Sequence, residues 1–441
     1  MCRRWGIRRP VWRYRTRRPV CRRWGIRRPV CYESGVPRFE PFRGLRYGPD
    51  ATDLSGVVCP PYDVISPAQR QVLIDEHESN CVRLELPRAE GELSPYDVAA
   101  ATLAAWRHAG GPLVTDDEPA FYVYRMGFKD EQGRPRQTSG VLGALGLEPP
   151  GEGILPHERT TPKDKQDRLD LLRETRTNLS PIWGLSLTPG LAGLCEPEGP
   201  PDAKATDPDG VHHRLWRVTQ PAVVKAIAEA VAASPVVVAD GHHRFEVALA
   251  YQAEQRELGR AEGPQDAVMC YVVELSEEQL AVHAIHRLLD NLPQDWEPTS
   301  ALTEWFEISP TEPADATIAA RQIEAGALAL VAPSGTWMLR PRRGVDELAE
   351  HDLDSSRLDV VLAALPDVQV RFQHGWSNVV DAVAAGTAQA GVLLRPATVA
   401  QIADVAHRAD RMPPKTTFFT PKPATGLVFR NLDDQVVGTS A

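Results

Sequence analysis

The residues of this 441-residue chain best suited to chemistry stand together at Asp240-Gly241-His242-His243-Arg244. Before them runs Pro235-Val236-Val237-Val238-Ala239, short, apolar and β-favouring; after them Phe245, Ala248, Leu249 and Tyr251 recur at helical spacing. The pattern predicts strand, tight turn and helix, with the ionisable groups gathered at the joint. A helix start presents backbone N–H groups and a partial positive charge. Gly241 lets a ligand approach the backbone, and Arg244 adds a fork of donors matched to phosphate or carboxylate oxygens. The combination is an anion site, best suited to phosphate. Asp240, Gly241, His242, His243 and Arg244 are its candidate ligand contacts, and His243 is also a candidate acid–base group. An ordinary polar turn at the tip of a strand–helix unit is the plainer reading, in which Arg244 pairs with Asp240.

Other segments supply what such a site lacks. Asp63 follows Cys59-Pro60-Pro61 at a strand-to-loop joint, where a carboxylate can act as base or magnesium ligand. His157 and Glu158 precede a helical stretch and either can move protons; the metalloprotease pattern HExxH is absent, because position 161 is Thr. Lys165 and Arg168 lie on that helix, backed by Leu169 and Leu172. Asp164, Asp167, Asp170 and Glu174 interleave with them, so a solvated face explains the charge equally well. Lys415 and Thr416 open a short run of cations and hydroxyls, Lys415-Thr416-Thr417 through Lys422, which could close over an anion. Adjacent histidines such as His242 and His243 cannot easily share one ion, and His283 and His286 share a face only if AVHAI is helical. No metal ligand set is assigned.

The loop ADGHHRFEVALAY resembles the Gly-x-x-Arg loop of the ParB/sulfiredoxin superfamily, which includes ParB-like free serine kinases. Over a longer span the chain resembles domain of unknown function 1015, an uncharacterised prokaryotic family. CPPYDVIS (59–66), HERTTPKDKQDRLDLL (157–172), NLSPIWGL (178–185), the loop itself and PPKTTFFTPKPATGLVFR (413–430) carry the likeness. It implies a mixed α/β fold with a ParB/sulfiredoxin-like unit around residues 220–300 embedded in a larger body. It also implies a loop that holds nucleotide phosphates. The activity expected is phosphoryl transfer or hydrolysis on a small phosphorylated metabolite, with serine or phosphoserine as the small partner and ATP or ADP with Mg as cofactor. The alternatives are a non-catalytic nucleotide-binding regulator and a metal-dependent hydrolase built on the histidines.

The elements that must position these residues follow from composition and pattern. The chain is 42% hydrophobic with no run long enough to span a membrane, and it reads as cytoplasmic. Residues 1–31 hold twelve arginines and no acid, so the net charge of -10 conceals a body near −22. Such a body is a poor partner for nucleic acid. The leader repeats CRRWGIRRPV at 2–11 and 21–30; it reads as translated repetitive DNA ahead of the true start rather than as a polybasic arm. Residues 36–300 are expected to form the ligand-binding body, 301–411 a scaffold, lid or homo-oligomer surface, and 412–441 a segment returning to the site. Asn80–Leu86 alternates like a strand, and Thr425–Phe429 is expected to be another.

Overall fold

The computed structural model describes residues 36–130, 133–149, 153–156, 165–293, 296–365, 367–408 and 410–433. Among the described residues the β-favouring runs assemble into two large sheets and two two-stranded ones, Leu45–Tyr47 with Leu113–Thr115 and Thr177–Asn178 with Arg430–Asn431. The first has nine strands. Its path runs 154–156, 236–240, 182–186, 267–274, 135–146, 121–129, 212–218, 203–206, and Phe39–Glu40 pairs beside Pro135–Gly146. Val236–Asp240 lies parallel to Ile154–Pro156 and antiparallel to Ile182–Ser186, so the sheet is mixed. It is buried on both faces. Val237, Ala239, Met269 and Tyr271 point into one apolar cluster, while Val236, Val238, Val268 and Cys270 point into another. That period of two explains why the central strands read as unbroken apolar runs.

The second sheet, seven-stranded, runs 306–310, 335–341, 328–332, 390–393, 281–290, 369–374, with Thr417–Thr420 added against residues 281–284. All its pairings are antiparallel. The strand Ala267–Glu274 of the first sheet leads by a short link into Ala281–Asp290 of the second, so the sheets meet there. AVHAI is therefore extended. His283 and His286, an odd number apart, face opposite sides of the strand, and His286 is buried with Nδ1 accepting from Leu394 N at 3.2 Å.

Helix starts follow their local signals. Ser66 and Ser94 each form a capping box with Pro at the first helical position, heading Pro67–Glu76 and Pro95–Arg107. Asn80–Leu86 is a correction: it is a short helix, Val82–Glu85, and not a strand. The Asn80 amide bonds Gly56 O (2.9 Å) and Val58 O (3.2 Å) while its Oδ1 accepts from Val82 N, bending the chain into a buried turn. Thr425–Phe429 is likewise no strand. Thr425 and Phe429 make isolated bridges to Cys59 and Leu45, and a two-residue strand follows at Arg430–Asn431. Arg430 is buried, donating to Asn178 Oδ1, Ala267 O and Pro264 O, which clamps this segment onto the first sheet. Among the described residues no helix is long and apolar enough to cross a membrane.

Gly143 shows how tightly the first sheet is filled. A Cβ there would lie 2.7 Å from both Phe121 Cε1 and Phe39 Cε2, two stacked rings 5.0 Å apart. Gly143→Ala should therefore destabilise the protein by about 1–3 kcal/mol through overpacking. Chemical denaturation of the variant beside the parent measures it, and coincident transitions would refute this packing account.

Candidate active site

The Val236–Asp240 strand ends at a register shift against Ile182–Ser186, between Val238 and Asp240, which re-aims the Asp240 side chain. Gly241 then takes φ +85°, and the helix His242–Glu257 begins. Glycine suits this position: a side chain would be strained at that φ, and its Cβ would lie 3.1 Å from Arg244 Nε, Arg244 Nη2 and Ile182 Cγ2. Arg244 thus folds back over the turn. Its Nη2 donates to Asp240 Oδ2 at 2.9 Å and its Nη1 to Pro181 O, whereas Nε is buried with no hydrogen-bond partner among the described residues. The ion pair of the plainer reading is present, so Arg244 also ties down the turn.

Asp63 arrives through a second chain pairing. Cys59 and Thr425 exchange backbone hydrogen bonds of 3.1 and 2.8 Å, which sets the segments leading to Asp63 and Lys422 side by side. Below them a buried relay fixes the Lys422 segment. Ala424 N donates to Tyr124 Oη at 3.0 Å, Tyr124 meets His213 Nδ1 at 2.7 Å, and His213 Nε2 meets Asp207 at 3.1 Å. Lys422 Nζ consequently donates to Asp63 Oδ2 at 2.7 Å and to Asp240 Oδ1 at 2.9 Å. Arg244, Asp240, Lys422 and Asp63 form one chain of alternating charge. Burial pushes the Asp240 carboxyl up, but Lys422 and Arg244 outweigh it and hold its pKa below the ordinary value. Burial works against the Lys422 ammonium in turn, and Asp240 and Asp63 raise its pKa nonetheless.

The remaining candidates divide. Arg168 is buried, with its guanidinium 4.5 Å from the centre of the Tyr62 ring and Nη1 bonded to Glu85 O at 2.8 Å. Arg168 and Arg244 both line a small cavity of about 60 Å³, together with Glu85 and Ser180. Lys165 sits on the exposed side of its helix, paired with Glu246 at 2.8 Å. Lys415 is exposed in a left-handed backbone conformation, near enough to Asp240 to lower its pKa. Thr416 is turned away and buried; its hydroxyl donates to Pro413 O and meets Ser355 Oγ at 2.9 Å. His242 and His243 are half-buried in the first helical turn. His157 and Glu158 lie outside the described residues.

Sequence reasoning passed over several neighbours of this chain. Lys422 belongs to the run of cations and hydroxyls expected to close over an anion, where its spacing gives it no role apart from Lys415, and Tyr62 is next to Asp63 in sequence. His374 carried no signal, since its strand lies in a stretch without a polar cluster. Its ring packs on Phe418, centroids 4.1 Å apart, and Lys422 Nζ lies 5.9 Å from the centre of the Phe418 ring. Burial first, then Lys415 and Lys422, hold the His374 pKa below the ordinary imidazole value, so it is neutral at pH 7. The described residues contain one group spaced to hold a metal ion, Glu350, His351 and Asp410, and none of His242, His243, His283 or His286 belongs to it.

The model of a family described as protein of unknown function (DUF1015) matches residues 39–361. No curated protein matches the chain. Solved structures similar to it include a free serine kinase variant in complex with AMP, 13% identical with a TM-score of 0.36, covering 67% of this chain and 93% of that one. A conserved hypothetical protein from Pyrococcus furiosus is 13% identical with a TM-score of 0.35, covering 67% and 97%. C-terminally truncated SbnI from Staphylococcus aureus is 12% identical with a TM-score of 0.34, covering 64% and 85%.

Lys422→Met tests the charged chain. It leaves Asp240 and Asp63 facing each other without their shared cation and should cost about 1–3 kcal/mol of stability at pH 7. The native Asp240 pKa is lowered, so its contribution exists above the unfolded carboxyl pKa of about 4 and disappears as pH falls through the native value. Parent and variant should therefore converge in stability toward pH 3. Denaturation midpoints across pH 3–7 measure this, and a gap that stays constant or widens in acid would contradict it.

Proposed function

The chain belongs to the family of proteins of unknown function, DUF1015, and we propose that its Asp240–Arg244 turn binds the phosphate of a small phosphorylated metabolite or nucleotide for phosphoryl transfer or hydrolysis. The observation that carries this reading is Arg244. It is a largely buried cation at a helix start, where the helix itself disfavours positive charge, with an unsatisfied Nε beside a glycine in the left-handed conformation. An anion at that turn supplies the missing acceptor and gains the helix N–H groups. Lys422 adds positive charge between Asp63 and Asp240, and Lys415 adds more near Asp240.

Chemistry requires a proton acceptor and a route for charge. Asp63 is the exposed end of the chain and the candidate base for a hydroxyl or water nucleophile. With ATP or ADP and Mg as cofactor, Asp63 and Asp240 are the carboxylates able to face the metal, and Arg244, the Gly241 backbone and Lys422 would hold the transferred charge. The likeness of the loop to that of ParB-like serine kinases makes serine a candidate acceptor. His243 is a second candidate for proton transfer, beside the phosphate. Arg168 acts through Tyr62 as a wall beneath the site, and Lys165 is a rim charge that steers an anion.

Arg244→Ala should weaken ADP and phosphate binding by about 1.5–3 kcal/mol, or tenfold and more. It should also lower stability, because Asp240 and Pro181 O lose their donor. Asp63→Asn should retain binding and lose turnover by 10²-fold or more, the usual scale for a missing general base. Calorimetry and phosphate release with serine or phosphoserine separate these effects. A folded Arg244→Ala protein that binds ADP like the parent would remove the basis of this function.

A further inference from the structure

The segments that build the charged chain also line a cleft of about 930 Å³, and Lys422 is one of its walls. One wall is Pro60, Pro61 and Val64, the second is Phe128 from the first sheet's long hairpin, and the third is Phe418 and Pro421. The turn Tyr62–Val64 presents Asp63 to Lys422, and the following residue, Val64, lines the cleft while 43% exposed. An apolar side chain in that position, facing half-buried Phe128 and Phe418, leaves apolar surface in water beside a cluster of charges. Polar side chains also line it, among them Lys129, Arg136, Asp207, Asp209 and His212.

We propose that this cleft takes the base and sugar of a nucleoside phosphate, whose phosphates reach past Lys422 to the Gly241–Arg244 turn. The proposal rests on the phosphate reading above and adds the seat of the base and sugar, which decides for a nucleotide over a smaller phosphorylated metabolite. Size and chemistry decide the class. Pockets of several hundred Å³ suit ligands of nucleotide size, whereas phosphoserine or free phosphate would leave most of this cleft as water against proline and phenylalanine. Flat rings favour a flat partner, since aromatic surfaces gain by stacking or edge-to-face contact. Phe418 is held for that contact, with the His374 ring at 4.1 Å and the Lys422 ammonium at 5.9 Å. Lys422 then sits between the apolar and the anionic ends of one ligand. Asp209 and His212, in the lining of the same cleft, offer a base or ribose hydrogen-bonding partners.

Calorimetry on the full chain with ADP, ribose 5-phosphate and pyrophosphate tests this. ADP should bind at least tenfold more tightly than either of the others. Phe128→Ala, which removes no member of the charged chain, should weaken ADP about tenfold and leave pyrophosphate unchanged. Val64→Trp, at an exposed turn where folding tolerates the change, should fill the cleft and do the same. Pyrophosphate that binds as tightly as ADP, with both variants silent toward ADP, overturns the cleft assignment while leaving the phosphate site standing. Failure of all three ligands to bind removes the phosphate site and this proposal together.

Discussion

The site depends on one ammonium group. Lys422 Nζ lies between the carboxylates of Asp63 and Asp240, at 2.7 and 2.9 Å, and without it two like charges would face each other at the end of a buried strand. Such an arrangement repels and would drive one carboxyl to take a proton or the segments apart. With it, a segment near the start of the body, a strand from its middle and a loop near its end are held together. Arg244 extends the alternation by one more charge and passes the constraint into the helix that follows.

The two sheets make this possible by different means. The first is covered on both faces, so its central strands are rigid and Asp240 emerges at a fixed point. The second sends Thr417–Thr420 along Ala281–Ala284, and that pairing delivers Phe418 and then Lys422 to the same point. The Cys59–Thr425 bridge and the Tyr124–His213–Asp207 relay hold the delivered loop from below. Much of what the resemblance marked in the Asn178–Leu185 and Pro413–Arg430 blocks is structural. Asn178 and Arg430 join two parts of the fold, and Pro181 offers only its carbonyl, to Arg244.

Where sequence reasoning went astray, long-range contacts were the cause. The alternation of Asn80–Leu86 matches a half-exposed strand, but Asn80 satisfies backbone groups at Gly56 and Val58 and the chain turns instead. Thr416 stands beside Lys415 in sequence, and its hydroxyl is engaged locally by Pro413 O and at long range by Ser355. His374 shows the reverse. Nothing beside it in sequence is reactive, and only the packing of its strand against Ala281–Asp290 brings it to Phe418 and Lys422.

The sequence by itself determined the local units: the apolar run into Asp240-Gly241, the helix behind it, the serine-capped helices and the alternating strands of the second half. Each rests on interactions within a few residues, such as capping, turn geometry and side-chain period, and these are written in adjacent letters. Which charges meet was decided only by the tertiary structure. Asp63, Asp240 and Lys422 are separated by more than 170 residues at each step. An ion pair carries no sequence period, and its partner is chosen by whichever segments the two sheets and their bridges bring within 3 Å. The same packing opened the cleft beside Lys422, because a cavity is a property of walls from distant segments and belongs to none of them alone.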